Sequence, residues 1–152
     1  MQKITDLKSG IYILELLAKK SFTIESKQHK NIVFQKGYYY YTGSAQKNLL
    51  SRLNRHVRPD KIINWHVDYL TTSVNNQESK TVLSKIFIFP EKPKEFECKI
   101  GLSLQKEYNC TAEIEKFGNG DCNNCITHLY YSKKRISQIH FISLYQATVL
   151  RI

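Results

Sequence analysis

The chain has 152 residues, a formal net charge of +10 and four cysteines. That length suits one domain with enough apolar residues to bury a core without staples, which excludes a multi-domain assembly within these residues. No apolar run reaches the roughly 20 residues of a membrane helix, and residues 1–9 are polar and mixed in charge rather than an export signal, so we expect a soluble, cytoplasmic protein with no membrane partner.

The positive charge is unevenly spread. Residues 27–61 hold eight Lys or Arg and a single acid, Asp60, and residues 133–152 hold four basic residues and no acid. Six of the thirteen acids lie between, in residues 91–115. Basic stretches interleaved with tyrosines are the footprint of a nucleic-acid binder, although solvated lysines alone give the same composition.

In chain order, residues 11–17 are apolar on both faces apart from Glu15, which predicts a central strand covered on two sides. Residues 22–24 and 32–34 flank a polar stretch and predict a short hairpin arm. Residues 37–42 predict a second strand with Tyr39 and Tyr41 on one face and Tyr38 and Tyr40 on the other. Gly43 predicts a turn, and Ser44 an N-cap for a helix over 44–57. On that helix Leu49, Leu50, Leu53 and Val57 form an apolar stripe, with Arg52 and His56 at its edge and Arg55 and Arg58 turned towards water. Residues 65–70 read equally as a helical turn or as an extended segment. A third strand is predicted over 81–89, ended by Pro90. Residues 95–106 predict a helix with Phe96, Ile100 and Leu104 inward, although Gly101 costs about 1 kcal/mol there. Residues 112–117 predict a short strand, 118–121 a turn, and 136–152 a β-favouring tail packed back on the domain. We expect one domain over 1–152, with a core of about 9–131 and a tail over 132–152.

Gly10-Ile11-Tyr12, then Tyr41-Thr42-Gly43, then Arg52-x-x-Arg55-His56 on the following helix resemble the GIY-YIG nuclease family. The segments Trp65-His66-x-Asp68-Tyr69-Leu70 and Cys122-x-x-Cys125-x-x-His128 are similar to its branch of Uri-type endonucleases. The resemblance spans about residues 9–131. It implies an α/β (α+β) fold, with a small mixed sheet of three main strands flanked by helices, here carrying an extra hairpin and a β-rich tail. It also implies metal-dependent hydrolysis of phosphodiester bonds, with DNA expected ahead of RNA; with no separate recognition domain in these residues, we expect weak sequence specificity or structure selectivity. We expect a monomer or weak homodimer. Basic charge and aromatics fit a non-catalytic nucleic-acid-binding module equally, and the cysteines fit a zinc-stabilised interaction domain.

Phosphodiester hydrolysis needs a group that activates water, a cation that neutralises the phosphate and usually a metal at the leaving oxygen. The resemblance places Tyr12 and Tyr41 in the catalytic site; Arg52 and His56 beside them would lower a phenol's pKa. Arg52 is the expected phosphate ligand, since a guanidinium holds two oxygens at once; Arg55 is the alternative. His56 is expected to donate to phosphate or to help activate water. Gly43, Ser44, Lys47, Arg55, Arg58 and His66 are candidate substrate contacts, His66 forming a pair with Asp68 if its segment is extended. The family takes one Glu as ligand for Mg²⁺ or Mn²⁺; Glu97 fits, with Glu95 as its rival. Cys122, Cys125 and His128 have metal-ligand spacing, and Cys98 offers a fourth donor for a structural Zn²⁺. Free thiols, or a disulfide, are the other readings of the same cysteines.

Overall fold

A computed structural model describes residues 7–119, 122, 124–137 and 146–152. Its frame is a five-stranded antiparallel sheet in the order β4-β2-β1-β3-β5. The strands are β1 (Gly10–Ala18), β2 (Gly37–Ala45), β3 (Val82–Pro90), β4 (Leu129–Ser132) and β5 (Thr148–Arg151); the helices are α1 (Leu49–Val57), α2 (Asp68–Thr71) and α3 (Phe96–Tyr108). The expected α+β class holds. The sheet is wholly antiparallel rather than mixed, and the tail packs back on the domain as expected, supplying its fifth strand.

β1 is central because both of its faces are apolar. Ile11 and Ile13 join Phe87, Phe89, Tyr40 and the Ile100 and Leu104 side chains of α3 on one face. Tyr12, Leu14 and Leu16 join Tyr39, Tyr41, the Leu49 and Leu53 of α1, the Leu70 of α2 and Val67 just before it on the other. The tyrosines of β2 therefore alternate as strand geometry requires. Glu15, the one polar break in β1, is fully buried. It accepts hydrogen bonds from Tyr40 (2.9 Å) and Ser84 (2.7 Å) and pairs with Arg135 Nε at 3.2 Å. A buried carboxylate without those partners would be strongly destabilising.

Several local expectations are corrected. β2 continues to Ala45, with Tyr12 opposite Gly43 and Ile11 opposite Ser44, so Gly43 is not a turn and Ser44 is not an N-cap. α1 starts at Leu49 behind Asn48, which sits in the left-handed region and makes no side-chain cap. The buried stripe of α1 is Leu49, Leu53 and His56, while Val57 is 42 % exposed. The hairpin arm is reduced to one bridge between Phe22 and Phe34. Residues 112–117 form no strand; β4 occupies the sheet edge instead, pairing Tyr131 with Tyr39. Residues 65–70 form a turn leading into α2. Gly101 is explained by packing: a Cβ there would stand 2.5 Å from the Tyr130 hydroxyl. Asp121 of the expected turn and residues 138–145 of the tail lie outside the described residues. No helix among the described residues is long and apolar enough to cross a membrane.

Candidate active site

β1 begins, β2 and β3 finish and β4 begins at the same end of the sheet. α3 starts shortly after β3, so its first turn lies at that end too. The result is a cleft of about 670 Å³ lined by Tyr12, Tyr41, Gly43, Ser44, Arg52 and Glu97, together with Trp65, Asn119, Cys98, Cys122 and His128. Four of the five side chains expected to share the work of hydrolysis, Tyr12, Tyr41, Arg52 and Glu97, thus line one cleft; the fifth, His56, does not. Glu95 lines the cleft as well but is exposed, whereas Glu97 is buried.

Tyr12 is 2 % exposed, and its hydroxyl lies 2.8 Å from His56 Nε2. Its ring crosses over Gly43, where a Cβ would stand 2.5 Å from the hydroxyl oxygen. Only glycine at position 43 leaves that ring room. Burial raises the Tyr12 phenol well above its ordinary pKa, and the opposing charge of Arg52 does not reverse the shift. Tyr41 is raised in the same way, burial again leading. The expectation that cations would lower these phenols is therefore corrected: desolvation wins.

His56 lies under Tyr12 and is 1 % exposed. It is not among the residues lining the cleft, so it reaches the cleft through Tyr12 and not by touching phosphate. Burial lowers its pKa to about 3, more than the charge of Asp68 restores. It is a neutral imidazole, with Nδ1 buried and unpartnered among the described residues.

Arg52 donates from Nη1 to the Ser44 carbonyl at 2.9 Å, which ties α1 to the end of β2. Its guanidinium lies 4.8 Å from the centre of the Trp65 ring. Arg55 stands 4.3 Å from the same ring centre. Arg55 is committed elsewhere: it grips Asp68 with two bonds, at 3.0 and 2.8 Å, and the Ile62 carbonyl at 2.8 Å. Asp68 also accepts the backbone N–H groups of Asn64 (2.9 Å) and Trp65 (3.0 Å). Burial opposes the Asp68 carboxylate, but these bonds hold its pKa below the usual value. Arg55 is thus a half-buried clamp instead of the water-facing substrate contact expected. Lys47 and Arg58 are exposed in a neighbouring hollow on the outer side of α1, not in the cleft. His66 does not pair with Asp68: it accepts the Gly118 N–H at 2.9 Å and packs against His29 and Phe117. Burial and the neighbouring His29 lower its pKa.

The other wall carries sulfur. The donor atoms of Cys98, Cys122, Cys125 and His128 all lie within 4.8 Å of one another and could hold a metal ion. Cys98 is on the first turn of α3. His128 directly precedes β4, and its carbonyl takes the Thr42 N–H at 2.9 Å, which extends the β2–β4 ladder. His128 Nδ1 stands 2.8 Å from Glu97 Oε1. Burial alone would lower the His128 pKa, but the bond and charge of Glu97 raise it. Burial also works against the Cys122 thiolate, yet bonds from Cys98, the Asn124 N–H, Cys125 and His128 bring that thiol down to about 6. Burial and the neighbouring sulfurs push Cys125 up. Several thiolates in so small a space repel one another unless a cation lies between them.

Asn119 and Trp65 were missed as cleft residues by sequence reasoning. Asn119 donates to the Cys125 carbonyl at 2.7 Å, and its Oδ1 is buried and unpartnered among the described residues. Its place after Gly118, in the turn that precedes the cysteines, was the only available signal.

The chain belongs to the family described as "domain of unknown function DUF123", whose model matches residues 11–149. No curated protein and no solved structure matches the chain.

Proposed function

We propose that this protein is a metal-dependent endonuclease that hydrolyses phosphodiester bonds in DNA, with a GIY-YIG-like division of labour. The observation that carries the reading is the convergence of Tyr12, Tyr41, Arg52 and Glu97 on one cleft. Arg52 binds the phosphate and offsets charge gathering on it in the transition state. The Tyr12 hydroxyl orients the attacking water. Its 2.8 Å hydrogen bond to the neutral His56 imidazole fixes that hydroxyl, and the water gives up its proton to solvent at the open cleft. Tyr41 donates to a phosphate oxygen, for which its raised pKa keeps it protonated. Glu97 would hold Mg²⁺ or Mn²⁺; one carboxylate suffices for an ion that keeps most of its water, and the ion would supply charge stabilisation at the leaving oxygen.

The same reading assigns Zn²⁺ to Cys98, Cys122, Cys125 and His128. Three sulfurs and one imidazole nitrogen are a usual structural-zinc set, and the soft donors select against Mg²⁺. The net charge of +10 suits DNA as the polyanion.

The test is to incubate the purified protein with labelled single- and double-stranded DNA and RNA in Mg²⁺, Mn²⁺ or EDTA. Cleavage of DNA that EDTA abolishes is expected. Binding without cleavage under all conditions overturns the enzyme in favour of a non-catalytic module.

A further inference from the structure

Glu97 stands between two groups of side chains. On one side it lines the cleft with Tyr12, Tyr41 and Arg52. On the other, its Oε1 takes a 2.8 Å bond from His128 Nδ1. The opposite ring nitrogen, Nε2, faces the thiol cluster at 4.0 Å from Cys98 Sγ. A histidine that gives Nδ1–H to a carboxylate presents the Nε2 lone pair to a cation, and the carboxylate fixes the ring's orientation. Three features make this a rigid linkage. Glu97 and Cys98 are consecutive on the first turn of α3, so their relative placement follows the helix. His128 is held to β2 through its own carbonyl. Both side chains of the pair are nearly buried, at 6 % and 10 % exposure, so water competes little for the bond.

We propose that occupancy of the Cys98–Cys122–Cys125–His128 site by zinc is what positions the Glu97 carboxylate, with His128 as the positioning residue that transmits it. Zinc held at Nε2 fixes the imidazole; the imidazole fixes Oε1; Oε2 is then the oxygen presented to the cleft. The inference rests on the zinc reading above but not on nuclease activity. It makes the thiol site more than a staple, because the carboxylate belongs to both walls of the cleft. Coupling of this kind is reciprocal, so Glu97 must strengthen zinc binding by the same factor that zinc favours the positioned carboxylate.

The test measures that reciprocal effect directly. Zn²⁺ affinity is determined by competition with a chromophoric chelator for the parent, Glu97→Gln, Glu97→Asp and, as a control, Glu95→Gln. We expect one Zn²⁺ per chain in the parent and a loss on the order of 10- to 100-fold in Glu97→Gln. Glu97→Asp, which keeps the charge, should recover part of the loss, and Glu95→Gln should bind as the parent does. Parental affinity in Glu97→Gln overturns the coupling and leaves the zinc centre standing. A Glu97→Asp variant no better than Glu97→Gln also overturns it, since the charge then does not matter. A parent that binds no Zn²⁺ overturns the centre and the coupling together, and the nuclease reading survives either result.

Discussion

The two walls of the cleft are made in different ways. Tyr12 and Tyr41 stand on neighbouring central strands, and Arg52 stands on a helix packed against them. Repeating backbone hydrogen bonds and a shared apolar face place these groups, with no ion required. The sulfur wall draws Cys122 and Cys125 from irregular chain before β4, held by such single bonds as Lys116 N–H to the Ile126 carbonyl and Asn119 to Cys125. Those two cysteines sit close to Cys98 and His128 without a repeating frame of their own to hold them. One wall owes its shape to the fold, and the other to what its side chains share. Glu97 belongs to both, which makes it the residue on which the difference can be tested.

The largest effect should come from removing the cation. Treating the parent with a strong chelator should lower its melting temperature by about 10 °C or more, since a structural site contributes several kcal/mol to folding. Unchanged melting would mean that the thiols are free and that both walls are held by the fold alone. Next in size is the rate effect of the regular wall. Arg52→Ala and Glu97→Gln should each slow cleavage by a factor on the order of 10² or more, about 2.7 kcal/mol of barrier. Arg52→Ala should nevertheless melt within a few degrees of the parent, because the half-buried guanidinium gives up only one hydrogen bond to a carbonyl and a ring contact. If both variants cleave at the parental rate, any activity resides elsewhere.

A smaller effect concerns pH. The folded His56 has a pKa lowered to about 3 from an ordinary 6.5, so below pH 6.5 the unfolded chain binds a proton that the folded chain refuses. Stability from this group is full above pH 6.5 and is lost as pH falls from there towards 3. Between pH 7 and pH 5 the loss is about 2 kcal/mol. Urea unfolding at the two pH values, in the parent and in His56→Gln, isolates it: the difference should shrink by about that amount in the variant. An unchanged difference would mean that the His56 imidazole is protonated in the folded chain. The smallest effect is assigned to the outer side of α1. Lys47→Ala and Arg58→Ala should weaken DNA binding by less than about 1 kcal/mol each, and mainly at low salt, because their charges are exposed and away from the cleft. A loss as large as that of Arg52→Ala would move the phosphate path onto that outer face.

The parts of the molecule legible in the sequence were those in which a single element repeats. The apolar run of β1, the alternating tyrosines of β2 and the Ile100–Leu104 stripe of α3 each imposed their period, and the structure keeps them. Arg52 and Glu97 were singled out by the family resemblance, each beside such a stripe, and both line the cleft. The failures lie where a distant partner decides. Ser44 has the chemistry of an N-cap, but pairing with β1 across Ile11 carries the strand past it. Arg55 has the exposure pattern of a surface cation, but the bidentate grip of Asp68 comes from thirteen residues away. His56 occupies an edge position on α1, yet the space beneath Tyr12 draws it inside. β4 is short, and residues 112–117 had an equal claim to the sheet edge. Nothing local distinguishes the two; the pairing of Tyr131 with Tyr39 does.

The strand order has a consequence for the history of each molecule as it is made. The first strand to leave the ribosome occupies the middle of the finished sheet, and later strands are added outward on alternating sides. β1 gains a neighbour as soon as β2 emerges, but its second edge stays bare until β3 is made, where Ile11 meets Phe89. At about 5–20 residues per second, that leaves an apolar strand half-covered for several seconds, and pairings so distant in sequence are slow to close. Arg52 and the two tyrosines can find their places at that stage. Glu97 and His128 arrive later, and β5 covers the edge of β3 last of all. A nascent chain therefore carries Arg52 and the two tyrosines before it carries the carboxylate that completes the cleft, and the cleft is not whole until synthesis has passed the cysteine segment.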